Sequence, residues 1–134
     1  ENPVKPVAFL NARVLQTRRI DKGESVGYAA TFRAKRPSMI ATVALGYADG
    51  LARAQSNRGV AIVAGRRVPV VGRVSMDLVG LDISDARTVK PGDEAEFLGA
   101  AVSLEDFAAA SGTNAYEVLT GLSRRVPRHY TQEA

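Results

Sequence analysis

Gly59-Val60-Ala61-Ile62-Val63-Ala64-Gly65-Arg66-Arg67-Val68-Pro69-Val70-Val71 is the stretch that decides the fold. Two apolar, β-branched runs, Gly59 to Val63 and Val68 to Val71, flank a connection at Ala64-Gly65-Arg66 that is too short for a crossover helix. The two runs should therefore be antiparallel neighbours. The same texture extends in both directions. Toward the N-terminus, Ala8, Leu10, Ala12 and Val14 share one side of a strand from Ala8 to Val14, with Asn11 and Arg13 on the other. Asp21-Lys22-Gly23-Glu24 reads as a turn, followed by strands from Ser25 to Arg33 and from Met39 to Leu45. Toward the C-terminus come strands from Val74 to Ile83 and from Ala95 to Leu98, with a turn at Lys90-Pro91-Gly92-Asp93. So many short strands leave many edges, and a closed or nearly closed barrel removes them.

After Gly99 the pattern changes. Ser103-Leu104-Glu105-Asp106 offers an N-cap with acids in the first turn, and Gly112 a C-terminal stop, so one short helix is expected between them. Asn114-Ala115-Tyr116-Glu117 has capping-box spacing and Val118, Leu119 and Leu122 share a face, which predicts a second short helix ended by Pro127. The expected fold class is mainly β: a small, mostly antiparallel, barrel-like single domain over residues 1–134, with one or two short helices near the C-terminus.

Composition bounds the chemistry. The 134 residues are 46% hydrophobic and 24% charged, a folding composition that excludes bulk disorder. No apolar run approaches the roughly 20 residues of a membrane span, so a soluble, non-membrane protein is expected. Zero cysteine excludes disulfides and thiolate metal sites, and a lone histidine, His129, makes a histidine-based metal centre a poor reading. The missing cysteines agree with a reducing, cytoplasmic setting. A chain starting Glu1-Asn2-Pro3-Val4, without Met, reads as a processed protein or a fragment of a longer one.

The formal charge of +4 is unevenly spread. Residues 1–73 carry 13 Lys/Arg against 4 Asp/Glu, a net of +9, whereas residues 74–134 carry 5 against 10, a net of −5. Such a basic half could serve nucleic acid, an anionic substrate, a phosphate-bearing cofactor or an acidic partner. Arg supplies 14 of the 18 basic residues, which suits bidentate recognition of carboxylate or phosphate but also follows from genome composition alone.

No complete catalytic set of the common kinds is present. There is no Ser/His/Asp arrangement, P-loop or dinucleotide fingerprint. Lys5 precedes a proline, Lys22 and Lys90 sit in turns, and Lys35 lies among charges, so no lysine has the desolvated setting of a Schiff-base former. Three tyrosines have suggestive neighbours. Tyr28, in Val26-Gly27-Tyr28-Ala29-Ala30, has small flanking residues that leave room for a ligand at its phenol, though a packed ring with a wet hydroxyl reads as well. Tyr47 stands in the turn Gly46-Tyr47-Ala48-Asp49-Gly50, where surface lining is the ordinary role. Tyr116 falls in a helix's first turn, where N–H groups can hold a phosphate or where the ring can staple the helix to a core. Val71-Gly72-Arg73-Val74-Ser75-Met76-Asp77 breaks an apolar pattern with Gly and Arg, which marks a bulge or a functional site. His129 and Tyr130 carry no functional signal.

Ala41-Thr42-Val43-Ala44-Leu45-Gly46-Tyr47-Ala48-Asp49-Gly50-Leu51-Ala52-Arg53 nevertheless reads as a family signature. Together with Gly72-Arg73-Val74-Ser75-Met76-Asp77, Val26-Gly27-Tyr28 and Arg125-Val126-Pro127-Arg128, it resembles the C-terminal domain of alanine racemase, over about residues 7 to 130. The resemblance implies an enzyme dependent on pyridoxal 5′-phosphate, whose N-terminal α/β barrel carries the Schiff-base lysine and most of the cofactor site. It implies a homodimer in which this domain covers the barrel mouth of a second subunit, with alanine as the small-molecule substrate and D-alanine for the cell wall as a product.

Residue by residue, the resemblance implies Tyr28 as the acid/base on the face of the substrate opposite the barrel lysine. A free phenol has a pKa of about 10 and needs nearby positive charge to act at neutral pH. Met76 would offer its backbone N–H to the substrate carboxylate, and Tyr116 would reach the cofactor phosphate. Tyr47, Arg53, Arg73 and Asp77 would line the access channel or tie the subunits together. Two positions depart from the pattern: Asn114, where many relatives carry an aliphatic residue, and Ser75, where many carry cysteine. Alone, the domain should be inactive. Two other readings remain beside it: a broad-specificity amino-acid racemase or related decarboxylase, and a basic β-barrel binding nucleic acid. The last lacks the aromatic residues interleaved with basic ones that a stacking platform requires.

Overall fold

One long strand sets the frame of the computed structural model, which describes residues 5–26, 31–86, 88–114, 118 and 129–133. Strand β1 (Lys5–Ile20) pairs antiparallel with three partners in turn along its length. Its first part pairs with β9 (His129–Glu133), its middle with β8 (Glu94–Leu98) and its last part with β4 (Ser38–Val43). The remaining walls are β5 (Val60–Val63), β6 (Arg66–Val71) and β7 (Val79–Asp82). Strand order runs β4-β7-β6-β5-β8-β1, and β1 pairs back onto β4, so six strands close a fully antiparallel barrel. Between β1 and β4, β2 (Ser25–Val26) and β3 (Phe32–Arg33) form a separate small hairpin.

Alternation fills the barrel. Leu10, Val14, Ala41, Val43, Ala61, Val63, Leu81, Ala95 and Phe97 belong to one buried cluster. Helix α1 (Leu104–Ala110) adds Phe107 and Ala108 to it, with Ser103 as N-cap accepting the Asp106 N–H at 3.0 Å.

The alternation changes phase inside β1, and that change places the functional end. Val14 faces Val43 and Gln16 faces Thr42, leaving Leu15 as a bulge, 52% exposed. One extra residue flips every later side chain to the other face. Ile20, an even position like the inward Val14, therefore emerges on the outside. There it joins Val26, Ala34, Ile40 and Val71 in a second small core, which seats the β2–β3 hairpin against the outer wall. Gly72 and Gly80 permit the close approach: a Cβ at Gly72 would lie 2.9 Å from the Val26 carbonyl oxygen, and one at Gly80 3.2 Å from its Cγ1.

Several expectations need correction. The strand expected over Val74 to Ile83 is regular only over Val79–Asp82, because residues 74–78 fold into a turn. The strand expected over Ser25 to Arg33 is instead the paired β2 and β3. The first strand runs six residues past Val14, through the bulge, and β9 was not expected at all. The short helix stands where its cap and Gly112 put it, the latter at φ +74°. The second helix, expected from Asn114 to Pro127, lies largely outside the described residues, of which Val118 is helical.

Candidate functional site

Two loops meet at the barrel rim beside the hairpin. The first, Gly46 to Gln55, contains the 3-10 turns Tyr47–Asp49 and Arg53–Gln55. Asp49 is buried and accepts the Gly46 N–H at 3.1 Å, and Gly50 ends the turn at φ +107°, a left-handed conformation that favours glycine. The second loop, residues 74–78, is closed by Ser75. Its hydroxyl accepts the Leu78 N–H at 3.1 Å and donates to the Leu78 carbonyl at 3.0 Å.

Backbone hydrogen bonds lock the loops together. Tyr47 N–H donates to Ser75 O at 2.9 Å and Ala48 N–H to Met76 O at 3.0 Å. Gly46 must be glycine, since a Cβ there would overlap the Ser75 and Met76 carbonyls. These bonds use the Met76 carbonyl, while its N–H donates to no acceptor among the described residues. Tyr47, Met76 and Leu78 leave 41%, 52% and 41% of their surfaces exposed, enough to make one apolar lip of the rim. The Arg53 guanidinium sits 5.0 Å from the Tyr47 ring centroid, within cation–π range.

Arg73 separates two open hollows. One, of about 360 Å³, lies on the outer wall against the hairpin and is lined by Arg18, Val26, Thr42, Arg73, Ser75 and Leu78 among others. The other, of about 270 Å³, is lined by Thr31, Arg53, Ser56, Asn57, Arg73 and Val74. Two guanidiniums facing one small hollow suit a carboxylate or phosphate.

The structure thus brings Tyr47, Arg53, Arg73, Met76 and Asp77 to one end of the barrel. Tyr28 and Tyr116 lie outside the described residues, Tyr28 in the stretch joining β2 to β3 and Tyr116 between Asn114 and Val118. Lys22, Lys35 and Lys90 are exposed, so none of these three offers the buried amine a Schiff base needs. No group of three potential metal ligands occurs among the described residues. The sequence reading overlooked Gln55, Ser56 and Asn57, three consecutive polar side chains that bond to segments distant in sequence. Their only local trace is the polar run Gln55-Ser56-Asn57-Arg58, which starts two residues past the end of the signature stretch at Arg53 and does not name their partners.

Comparison with known proteins gives a consistent match. The family model described as alanine racemase, C-terminal domain, matches residues 7–130. The alanine racemase of Sorangium cellulosum is 47% identical over 137 residues, spanning 96% of this chain and 36% of that protein. The catabolic alanine racemase of Agrobacterium fabrum is 50% identical over 133 residues, spanning 98% and 34%. Among solved structures, the biosynthetic alanine racemase of Pseudomonas aeruginosa superposes with a TM-score of 0.85 at 44% identity, covering 89% of this chain and 33% of that one. The Bartonella henselae alanine racemase with covalently bound pyridoxal phosphate gives 0.83 at 40%, covering 86% and 32%. The chain spans about a third of the length of these relatives.

Proposed function

The chain belongs to the alanine racemase family through its C-terminal domain, and from that premise we propose that it completes the active site of a pyridoxal-phosphate-dependent enzyme interconverting L- and D-alanine. The single observation that carries the site assignment is the rim geometry. Two loops are fixed by their backbones so that the Met76 carbonyl is spent on Ala48, while no described residue accepts from its N–H.

In this reading the Met76 N–H binds the substrate carboxylate, a main-chain role that tolerates many side chains at position 76. Arg53 and Arg73 line the way in and attract the carboxylate of an arriving amino acid. Asp77, next to Met76 in the turn, belongs to the same lining. The exposed lip of Tyr47, Met76 and Leu78 meets the barrel of a second subunit, which excludes water from the reacting centre. Tyr28 holds or receives the proton at one face of the substrate Cα through its phenol oxygen, and Tyr116 contacts the cofactor phosphate. When bound by the preceding barrel, pyridoxal phosphate withdraws the electron pair left at Cα. With Lys22, Lys35 and Lys90 exposed and Lys5 set before a proline, the 134-residue chain should not turn over alanine by itself.

The test is α-proton exchange of each alanine enantiomer in D₂O, with pyridoxal phosphate, in the protein carrying this chain after its barrel. Tyr28→Phe should cut exchange from one enantiomer about 10²- to 10⁴-fold, the usual worth of a positioned acid/base, while sparing the other. An inert parent, or equal exchange from both enantiomers in the variant, would remove the assignment.

A further inference from the structure

Asp49 is the one charged side chain among the buried described residues, 6% exposed, and the chemistry proposed above leaves it without a role. Burying a carboxylate is costly unless its oxygens find donors. Its Oδ2 accepts the Gly46 N–H at 3.1 Å, and its own backbone N–H donates to the Gly46 carbonyl at 2.9 Å. The same carbonyl accepts the Leu51 N–H at 3.2 Å, and the Leu51 side chain is wholly buried. A charge-assisted bond thus closes the turn from Gly46 to Asp49, and Leu51 anchors it to the core.

That turn presents two N–H groups to the second rim loop: Tyr47 N–H donates to Ser75 O at 2.9 Å and Ala48 N–H to Met76 O at 3.0 Å. The first bond bears most directly on the site, because the Ser75 carbonyl and the Met76 N–H belong to one peptide unit. This unit is trans, and in a planar trans peptide the C=O and N–H point in opposite directions. Fixing the Ser75 carbonyl on Tyr47 therefore fixes the line along which the Met76 N–H donates. The second bond holds the next peptide unit, and Leu78, bonded to the Ser75 hydroxyl, closes the loop behind it. Linked hydrogen bonds also polarise one another, so an amide whose carbonyl accepts a bond is a stronger donor at its N–H.

We propose that Asp49 is a positioning residue for the substrate carboxylate: by closing the Gly46–Asp49 turn it aims the Tyr47 N–H at Ser75 O, and so sets the direction and donor strength of the Met76 N–H. The inference rests on the functional reading above and adds to it a residue that reading does not use. The Asp49 carboxylate does not touch the substrate. It acts through the backbone of the first loop on the backbone of the second.

The deciding variants are Asp49→Ala, which removes the carboxylate, and Asp49→Asn, which keeps an acceptor oxygen without the charge. They are made in the full racemase, with this chain following its barrel, loaded with pyridoxal phosphate. Three probes are compared: alanine, propionate, which is alanine without its amine, and ethylamine, which is alanine without its carboxylate. Only the first two can use the Met76 N–H. Asp49→Ala should raise the KM for alanine and the inhibition constant of propionate about tenfold, the worth of one hydrogen bond to a charged group. The constant for ethylamine should stay as in the parent, and kcat should change little, as expected when ground-state binding alone is lost. A neutral bond is about half as strong as a charge-assisted one, so Asp49→Asn should show the same split at about threefold, and it carries the test if Asp49→Ala does not fold. A fall in Tm alone would accompany any structural role, whereas the split between carboxylate-bearing and carboxylate-free probes would not. With an active parent, equal weakening of all three probes, or alanine and propionate unaffected, overturns the role of Asp49 and leaves the functional reading standing. An inert parent overturns both.

Discussion

The barrel wall and the barrel rim are built on different physical terms. Inside the wall, Phe97, Leu81, Ala41 and Ala61 are wholly buried, and non-directional apolar burial holds them. At the rim, Tyr47, Met76 and Leu78 are largely exposed, and what is fixed is their backbone, through the bonds of Tyr47 to Ser75 and Ala48 to Met76. The wall should therefore be sensitive to side-chain volume and the rim to backbone clearance. A substitution that merely shortens a side chain should hurt the first far more than the second.

The largest expected effect tests that directly. Phe97→Ala would leave an aromatic-sized cavity at the centre of the core and should lower stability by about 3–5 kcal/mol, read as a fall in the urea unfolding midpoint. Met76→Ala, a smaller truncation and at a half-exposed position, should change stability by no more than about 0.5 kcal/mol. Equal losses would mean that the rim packs like the wall and that the contrast is false.

Gly46→Ala sharpens the rim half. One methyl there overlaps the carbonyls of both Ser75 and Met76, so the loops must separate. A cost of about 1–3 kcal/mol is expected, with a higher KM for alanine as the Met76 N–H is displaced. Adding the same methyl at Gly65, where nothing lies within 4 Å, should cost only the strain of its left-handed φ of +73° and leave KM alone. A normal KM in Gly46→Ala would show that the loop junction does not position the substrate.

This division also explains what the sequence revealed. The wall was legible because burial writes itself as alternation, as in Ala8 to Val14, or as short apolar runs such as Val60–Val63 and Val68–Val71, and because the tight turn between those two runs allows one pairing. The phase change at Leu15 was not, since a bulge is a single unpaired residue in a run that remains strand-like on both sides. It was that change which sent Ile20 outward and seated the hairpin outside the barrel. Position β9 escaped notice because His129-Tyr130-Thr131-Gln132-Glu133 lacks an apolar alternation and is recruited by the start of β1. At the rim, the signature stretch pointed to Tyr47, Arg53, Arg73, Met76 and Asp77 by resemblance. The residues that hold them, Gln55 to Asn57, act through bonds spanning up to 56 positions in sequence, which no local pattern encodes.

A smaller effect asks whether directional bonds matter on the wall side too. Ser103 caps α1 by accepting the Asp106 N–H, satisfying one of the helix's free donors. Ser103→Ala should cost about 1 kcal/mol, while Ser103→Asp should retain most of the stability. Urea unfolding of the pair distinguishes a working cap from a helix held solely by Phe107 and Ala108.

The smallest effect is electrostatic and lies in the turn between the end of β7 and β8. There the Asp93 carboxyl is held below its ordinary value, first by the Lys90 backbone N–H that it accepts at 3.0 Å, then by the Lys90 ammonium at 3.3 Å. Burial opposes this shift only in part. A depressed carboxyl binds its proton less readily in the folded chain than in the unfolded one, so its stabilisation is fully present above the unfolded value and is lost as pH falls through the folded one. The turn also carries the bonds of Gly92 N–H to Val14 O and Val14 N–H to Asp93 O, both 2.8 Å, that meet β1 at its bulge. Asp93→Asn keeps an acceptor for the Lys90 N–H but removes the charge. Its unfolding midpoint should lie slightly below that of the parent at neutral pH, and the gap should close on acidification below the ordinary carboxylate value of 3.8. A gap that persists in acid would assign the turn's strength to the hydrogen bond alone, and the wall would then rest on no charge at this corner.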